Sequence, residues 1–123
     1  KDIFKYTPLE TVMAVAESSD LPVIIVHGGG AKVLDALLIA ESFPHVYLET
    51  SFSLHYWLGS PVEDAFAFAV RKLGADRFLF GSDAPFMDLV ETIEIHTQHF
   101  KIITQKLNLL TPIRNLFKPI ENY

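Results

Sequence analysis

Two side chains that can exchange protons stand where apolar segments of the sequence end. His27 follows an apolar run that closes with Val26, and three consecutive glycines come directly after it. Asp83 follows a second apolar run, in the sequence Gly-Ser-Asp. An imidazole binds or releases a proton near neutral pH, and a carboxylate accepts protons or binds divalent cations. The pair is therefore a candidate for chemistry at the strand ends, and the glycines would leave space beside His27 for a substrate.

Each candidate also has an ordinary structural explanation. A lone histidine is most often a hydrogen-bonded core residue, and Asp83 is the type of residue that caps a helix or closes an Asx turn. Glu49 is most easily a solvated carboxylate at a strand end. His96 and His99 are three residues apart on a predicted helix, where we expect a packed histidine and a surface histidine rather than a metal pair. Taken one at a time, each residue favours its structural explanation; considered jointly and with the family resemblance given below, function is favoured only for His27 and Asp83.

The elements that carry these residues alternate between strand and helix. Continuous apolar or β-branched runs predict strands over 23–26, 46–50 and 77–80, and helices are predicted from residue 7 and over 31–43, 60–73 and 88–107, with a short final helix from 111. Ser60-Pro61-Val62-Glu63 has the pattern of a capping box, and Gly74 is a natural helix stop. The order predicts a parallel α/β sheet, in which sites form at the carboxyl ends of the strands.

Helical spacing also predicts which face each helix buries. The expected buried residues are Leu9, Val12, Met13 and Ala16; Val33, Leu34, Leu37, Leu38 and Ala40; Val62, Ala65, Phe66, Ala69, Val70 and Leu73; and Leu89, Ile93, His96, Phe100, Ile103 and Leu107.

Composition narrows the class of protein. The 123 residues are 50% hydrophobic and carry a formal charge of −5, which predicts one folded domain over 1–123 and disfavours nucleic-acid binding. No apolar run reaches the roughly 18 residues of a membrane span, so no membrane partner is expected. The sequence has no cysteine. This suits a reducing cytoplasm and excludes thiolate metal sites.

The HGGG sequence at 27–30 has two further interpretations. In lipase-like hydrolases such a turn forms an oxyanion hole, but that chemistry needs a serine in GxSxG, which this sequence lacks. A glycine turn before a helix also cradles phosphates, yet neither GxxxxGK[ST] nor GxGxxG is present. The lipase interpretation is rejected, and the phosphate interpretation is weak.

Three stretches carry a resemblance to a known family: LPVIIVHGGGAKVLDALLIAESFPHVYLETS, LGADRFLFGSDAPF and RNLFKP. Together they resemble the amidohydrolase superfamily, in particular the branch that includes the aminocarboxymuconate-semialdehyde decarboxylase-like enzymes. The resemblance implies a (β/α)₈ barrel with a divalent metal, most probably zinc. It implies that His27 handles the reactive water or the substrate, and that Asp83 is a metal ligand and proton acceptor. Glu49 stands where the family usually has aspartate, and no role is assigned to it.

The resemblance covers only the end of such an enzyme. The family's H-x-H in the first strand and its ligand in the fifth strand have no counterpart here. We therefore expect the last three strand–helix units of the barrel, inactive alone, and either a homo-oligomer or association with a missing N-terminal half. The leading hypothesis is a metal-dependent hydrolase acting on the amide, ester or lactone carbonyl of a small molecule. A nonoxidative decarboxylase and a catalytically silent interaction or oligomerisation module are the alternatives.

Overall fold

The helices and strands follow each other in the predicted order. The computed structural model describes residues 8–107, with the side chains of residues up to 98; the predicted helix from 111 and the side chain of His99 lie outside this part. The elements are α1 (Leu9–Ser18), β1 (Val23–Ile25), α2 (Val33–Ser42), β2 (Val46–Glu49), α3 (Ser53–Tyr56), α4 (Pro61–Leu73), β3 (Phe78–Leu79) and α5 (Leu89–Leu107). The strands are shorter than predicted, and α3 forms inside a segment that lacked a helical pattern.

The three strands form one parallel sheet in the order β1-β2-β3. Ile25 lies beside Leu48, and Leu48 lies beside Phe78. These three side chains are buried and share one hydrophobic core with residues of α2 and α4, including Val33 and Phe66. The predicted parallel α/β arrangement is therefore confirmed, and its core lies between the sheet and these two helices.

The opposite face of the sheet is open in the described part of the chain. Successive side chains of a strand point to opposite faces. Ile24, next to the buried Ile25, is 43% exposed, and Glu49, next to the buried Leu48, is only half-buried. Helices thus cover one face of the sheet. The other face carries Ile24 and Glu49.

Helix α4 begins and ends where the sequence predicts. Ser60 is the N-cap and Pro61 occupies the first turn. The Ser60 Oγ accepts the Val62 N–H at 3.2 Å. The Glu63 carboxylate accepts the N–H of Gly59, one residue before the position a capping box requires. At the other end, the N–H of Gly74 donates to a carbonyl of the last turn.

The predicted buried faces are correct for α4 and partly wrong elsewhere. Phe66, Ala69 and Val70 are buried as expected. In α2 the buried side includes Val33, Ala36 and Leu37, whereas the predicted Leu34 and Leu38 are 48% and 62% exposed. Apolar residues surround most of α2, so spacing alone does not select its inward face.

Helices α1 and α5 also expose residues that were predicted to be buried. Met13 of α1 is 43% exposed, and Leu89 and Ile93 of α5 are 50% and 41% exposed. Among the α5 side chains that the structure describes, Thr92 and His96 are buried, and they are four residues apart. A polar contact orients this helix, because His96 Nε2 lies 3.0 Å from the hydroxyl of the Thr50 side chain.

Candidate active site at the carboxyl edge of the sheet

The chain leaves each of the three strands through a residue with a positive φ angle. These residues are His27 after β1 (φ 57°), Phe52 after β2 (φ 57°) and Asp83 after β3 (φ 60°). A non-glycine residue in this region is uncommon, and such strained residues concentrate at functional sites. Because the strands are parallel, all three lie at the same edge of the sheet. His27 and Asp83 therefore follow β1 and β3 at the same edge of one sheet, with β2 between the two strands.

The His27 side chain and backbone are both hydrogen-bonded to the end of β2. The ring Nδ1 lies 3.0 Å from the Ser51 carbonyl oxygen and 2.9 Å from the Ser51 Oγ. The His27 N–H donates to the Glu49 carboxylate at 3.1 Å, and the Ser53 hydroxyl donates to the His27 carbonyl at 2.7 Å. The turn after β1 is thus held at its backbone and at its ring.

Glu49 is the centre of these contacts and is not a solvated carboxylate, so that interpretation was wrong. Its Oε1 accepts the Ser51 N–H at 2.6 Å, and its Oε2 accepts the Ser51 hydroxyl at 2.6 Å in addition to the His27 N–H. Sequence reasoning assigned no role to Glu49 or Ser51. The available signal was the spacing of two residues, which places polar groups on the same face where β2 ends.

The three glycines after His27 do not serve one purpose. A Cβ on Gly28 would lie 2.7 Å from Cε1 of Phe66, a core residue that is 1% exposed. Gly28 therefore permits close packing of the turn on α4. A Cβ on Gly30 would meet nothing nearer than 3.9 Å. The expectation that the glycines leave open space beside His27 fits Gly30 and does not fit Gly28.

His27 is one of the residues that line a cavity of about 480 Å³. Its polar residues include His27, Ser53 and Lys32, and its walls are mainly apolar; they include Phe52, Trp57, Gly30, Ile24, Val26, Leu9 and Val12. The Phe52 ring lies 5.5 Å from the His27 ring and stacks on Tyr56 at 4.8 Å between centroids. This space is large enough for a small organic molecule with an apolar part.

Asp83 is half-buried in the turn after β3, and both of its ordinary explanations are wrong. The side chain that closes the turn belongs to Ser82, whose Oγ accepts the Ala84 N–H at 3.2 Å. The carboxylate that caps the start of α5 belongs to Asp88, which accepts the Glu91 N–H at 2.9 Å. Within the described residues the Asp83 carboxylate has no hydrogen-bond partner, and it does not line the cavity at His27.

The other histidine of interest is a packed residue, as expected. His96 is 1% exposed, its Nδ1–H donates to the Thr92 carbonyl at 2.8 Å, and its ring contacts Phe80 edge to face. Among residues whose side chains are described, no group of three or more His, Asp or Glu is arranged to hold a metal ion. A catalytic zinc needs three protein ligands. The family's metal therefore does not fit the described residues by themselves, and Asp83 is a single candidate ligand.

The parallel strand–helix order defines the chain as an α/β protein, a class in which sites form at the carboxyl edge of the sheet. A family model described as Amidohydrolase matches residues 5–109, and the chain belongs to this family. The chain is also similar to the structure of an uncharacterized TIM-barrel protein, Bb4693, from Bordetella bronchiseptica, with a TM-score of 0.64 and 24% identity. The similarity covers 94% of this chain and 37% of that chain.

This structural similarity confirms the predicted partial barrel and concerns the fold alone. No curated protein matches the chain. In the part that the structure describes, none of the helices combines the length and apolarity needed to cross a bilayer.

Proposed function

We propose that this chain forms part of the active site of an amidohydrolase-type hydrolase, in the complete protein that carries it. The observation that carries the proposal is the His27 ring, which is held by Ser51 at Nδ1 and borders a largely apolar cavity at the carboxyl edge of the sheet. Family membership supports the same reaction class. The bond to be broken would be the amide, ester or lactone linkage of a small molecule.

The two side chains would have separate tasks in this hydrolysis. Asp83 would take the proton of the attacking water, because its carboxylate is half-buried and uses none of its oxygens within the described structure. With a second proton, bound at Nε2, His27 would donate a hydrogen bond to the oxygen that gains negative charge. A positioned acid–base group of this kind contributes typically 10²–10⁴-fold to a rate. The cavity would hold the apolar or aromatic part of the substrate against Phe52 and Trp57.

A divalent metal, with zinc the first choice from the family resemblance, stays part of the proposal. The described residues provide no group of three ligands, so the remaining ligands would have to come from strands outside this chain. The chemistry derived from the chain itself is limited to His27 and Asp83. We also propose the decarboxylase-like branch as the subfamily. For the compartment we propose a reducing cytoplasm, and for the assembly a homo-oligomer.

The open edge of β1 supports association with the remainder of a barrel. In the described residues β1 pairs with β2 alone, and the cavity is bordered by Ile24, Ile25 and Val26 along that strand. Val26 is 59% exposed and Leu21 is 70% exposed. An unpaired apolar strand edge requires cover. The missing N-terminal half of the barrel, or a second copy of the chain, would supply it.

The test is hydrolysis of amide, ester and lactone panels by the complete protein and its variants. We expect His27→Gln and Asp83→Asn each to lower kcat/KM by about 10²-fold or more. The matched controls are His45→Gln, a histidine before β2 at the opposite edge of the sheet, and Asp20→Asn, an exposed aspartate. Both controls should keep activity in proportion to the folded fraction.

The rival functions predict different results in the same panel. Release of CO₂ from carboxylic acids, lost in the same two variants and without hydrolysis, would indicate the decarboxylase. Wild-type rates in both variants, or no turnover by the complete protein, would reject the proposed roles. The silent interaction module would then be favoured.

A further inference from the structure

A chain of hydrogen bonds leads from the Glu49 carboxylate through Ser51 to the His27 ring. We propose that Glu49 and Ser51 are positioning residues that keep a proton on His27 Nδ1, so that the ring exchanges protons only through Nε2. The value of this arrangement for catalysis rests on the function proposed above. The arrangement itself is a property of three side chains and can be measured without any substrate.

The direction of the hydrogen bonds follows from which atoms can donate. The Ser51 carbonyl oxygen, 3.0 Å from Nδ1, only accepts. The Ser51 hydroxyl proton is directed to Glu49 Oε2, 2.6 Å away, so the Oγ presents a lone pair to Nδ1 at 2.9 Å. Both neighbours of Nδ1 therefore accept, and the proton must lie on Nδ1. In a neutral ring the lone pair is then on Nε2.

Glu49 is itself fixed by donors from two turns. The N–H of His27 and the N–H and hydroxyl of Ser51 all point to its two oxygens. A Cβ on Gly81 would overlap Oε1 of the carboxylate, which shows how closely the end of β3 approaches it. Hydrogen bonds to a charged group are shorter and roughly twice as strong as neutral ones. The carboxylate oxygens thus accept three donors, and the bond from the Ser51 hydroxyl keeps the hydroxyl proton turned away from His27.

The arrangement matters because the two ring nitrogens differ in their surroundings. Nδ1 is occupied by Ser51, which leaves Nε2 as the nitrogen for proton exchange, and His27 is one of the residues that line the cavity. If Ser51 donated to Nδ1 instead, the neutral ring would carry its proton on Nε2 and could not accept one from a bound molecule. Glu49 excludes this state by holding the hydroxyl proton.

The test is ¹⁵N NMR of the complete protein labelled at histidine, at a pH where histidines are neutral. The His27 signals are assigned by their loss in His27→Gln. We expect Nδ1 to resonate as a protonated nitrogen and Nε2 as an unprotonated one. The reverse pattern, or an even mixture of tautomers, would overturn the proposal, and the wild-type spectrum is sufficient to show this.

Three variants separate the parts played by Glu49 and Ser51. In Glu49→Gln the neutral amide binds the Ser51 hydroxyl proton less strongly than the carboxylate does, so the hydroxyl can also donate to Nδ1. We therefore expect a mixture of tautomers, with the Nδ1 resonance moved toward the unprotonated position. In Ser51→Ala only the carbonyl faces Nδ1, and the Nδ1–H form should persist. The double variant should also regain the Nδ1–H form, which a merely structural role of Glu49 does not predict.

The control is Glu41→Gln, which removes an exposed carboxylate on α2 and should leave both resonances unchanged. An unchanged spectrum in Glu49→Gln would overturn the role of Glu49. If that variant does not fold, the wild-type and Ser51→Ala spectra still decide the position of the proton.

This experiment and the activity test fail independently. A wild-type spectrum with the expected tautomer, together with full activity in His27→Gln, would reject the proposed function and retain the positioning. Activity that depends on His27, together with a proton on Nε2, would reject only the positioning.

Discussion

Replacing Gly28 by alanine tests whether the turn after β1 is built by close packing. The glycine has φ of +56°, and an added Cβ would lie 2.7 Å and 2.9 Å from two ring atoms of Phe66. Phe66 is 1% exposed and packs in the core beneath the sheet. The ring therefore has no free volume into which it can retreat, and the turn that carries His27 must shift.

The expected loss has two parts, which a second variant separates. A left-handed backbone costs an alanine roughly 1–2 kcal/mol, and overpacking of a close-packed core costs typically 1–3 kcal/mol. Gly59 has φ of +74° with nothing within 4 Å of an added Cβ, so Gly59→Ala reports the backbone part alone. We expect Gly28→Ala to lower the free energy of unfolding by about 2–5 kcal/mol and Gly59→Ala by only about 1–2 kcal/mol.

Urea unfolding followed by circular dichroism measures both variants. The slope of the free energy against urea should be unchanged, so that the shift in midpoint reports stability. Gly28→Ala should also weaken the Nδ1 contact of His27, which the ¹⁵N spectrum detects. Equal losses in the two variants would show that the Phe66 contact does not constrain the turn, and the packing argument for Gly28 would be refuted.

Two other changes have defined outcomes. Arg77 donates to the carbonyls of Ala40, Phe43 and Val46. Arg77→Met should therefore lower the free energy of unfolding by about 3 kcal/mol, and Arg77→Lys should regain part of this loss. A loss under about 1 kcal/mol in urea unfolding of Arg77→Met would contradict the prediction. The 123-residue chain alone should bind less than one equivalent of zinc in equilibrium dialysis with elemental analysis, because its described side chains form no group of three ligands. Stoichiometric zinc that is lost in Asp83→Asn would refute that conclusion.

The order of elements was predictable because its signals are local. Ser60, Pro61 and Gly74 mark the ends of α4 through the conformations and hydrogen bonds available to their own residue types. The apolar runs mark the strands correctly, but they indicate burial on both faces, and in the described residues only one face is covered, since Ile24 is 43% exposed. Parallel pairing follows from the strand–helix alternation, which fixes both strand ends to the same edge of the sheet.

The orientation of α2 and α5 was less predictable because it depends on partners elsewhere in the chain. Leu34 and Leu37 are equally apolar, and only the position of α4 makes Leu37 the buried one. In α5 the buried residue His96 contacts the hydroxyl of Thr50 through its Nε2. This partner lies 46 residues earlier in the chain, so the spacing within α5 does not reveal it. Glu49 was misjudged for the same reason, since its donors include the backbone of a different turn.

The His27 backbone supports the proposal that this residue is functional and not an ordinary core histidine. Its left-handed conformation, at φ 57° and ψ 17°, is costly for a side chain with a Cβ, and glycine would adopt it more easily. Two hydrogen bonds hold it there, from its N–H to Glu49 and from Ser53 to its carbonyl, and each contributes roughly 1 kcal/mol. These bonds involve only backbone atoms of residue 27, so a glycine would keep them and avoid the strain. The imidazole adds to the turn only its two Nδ1 contacts with Ser51, which supports the proposal that its place at the cavity has a further use.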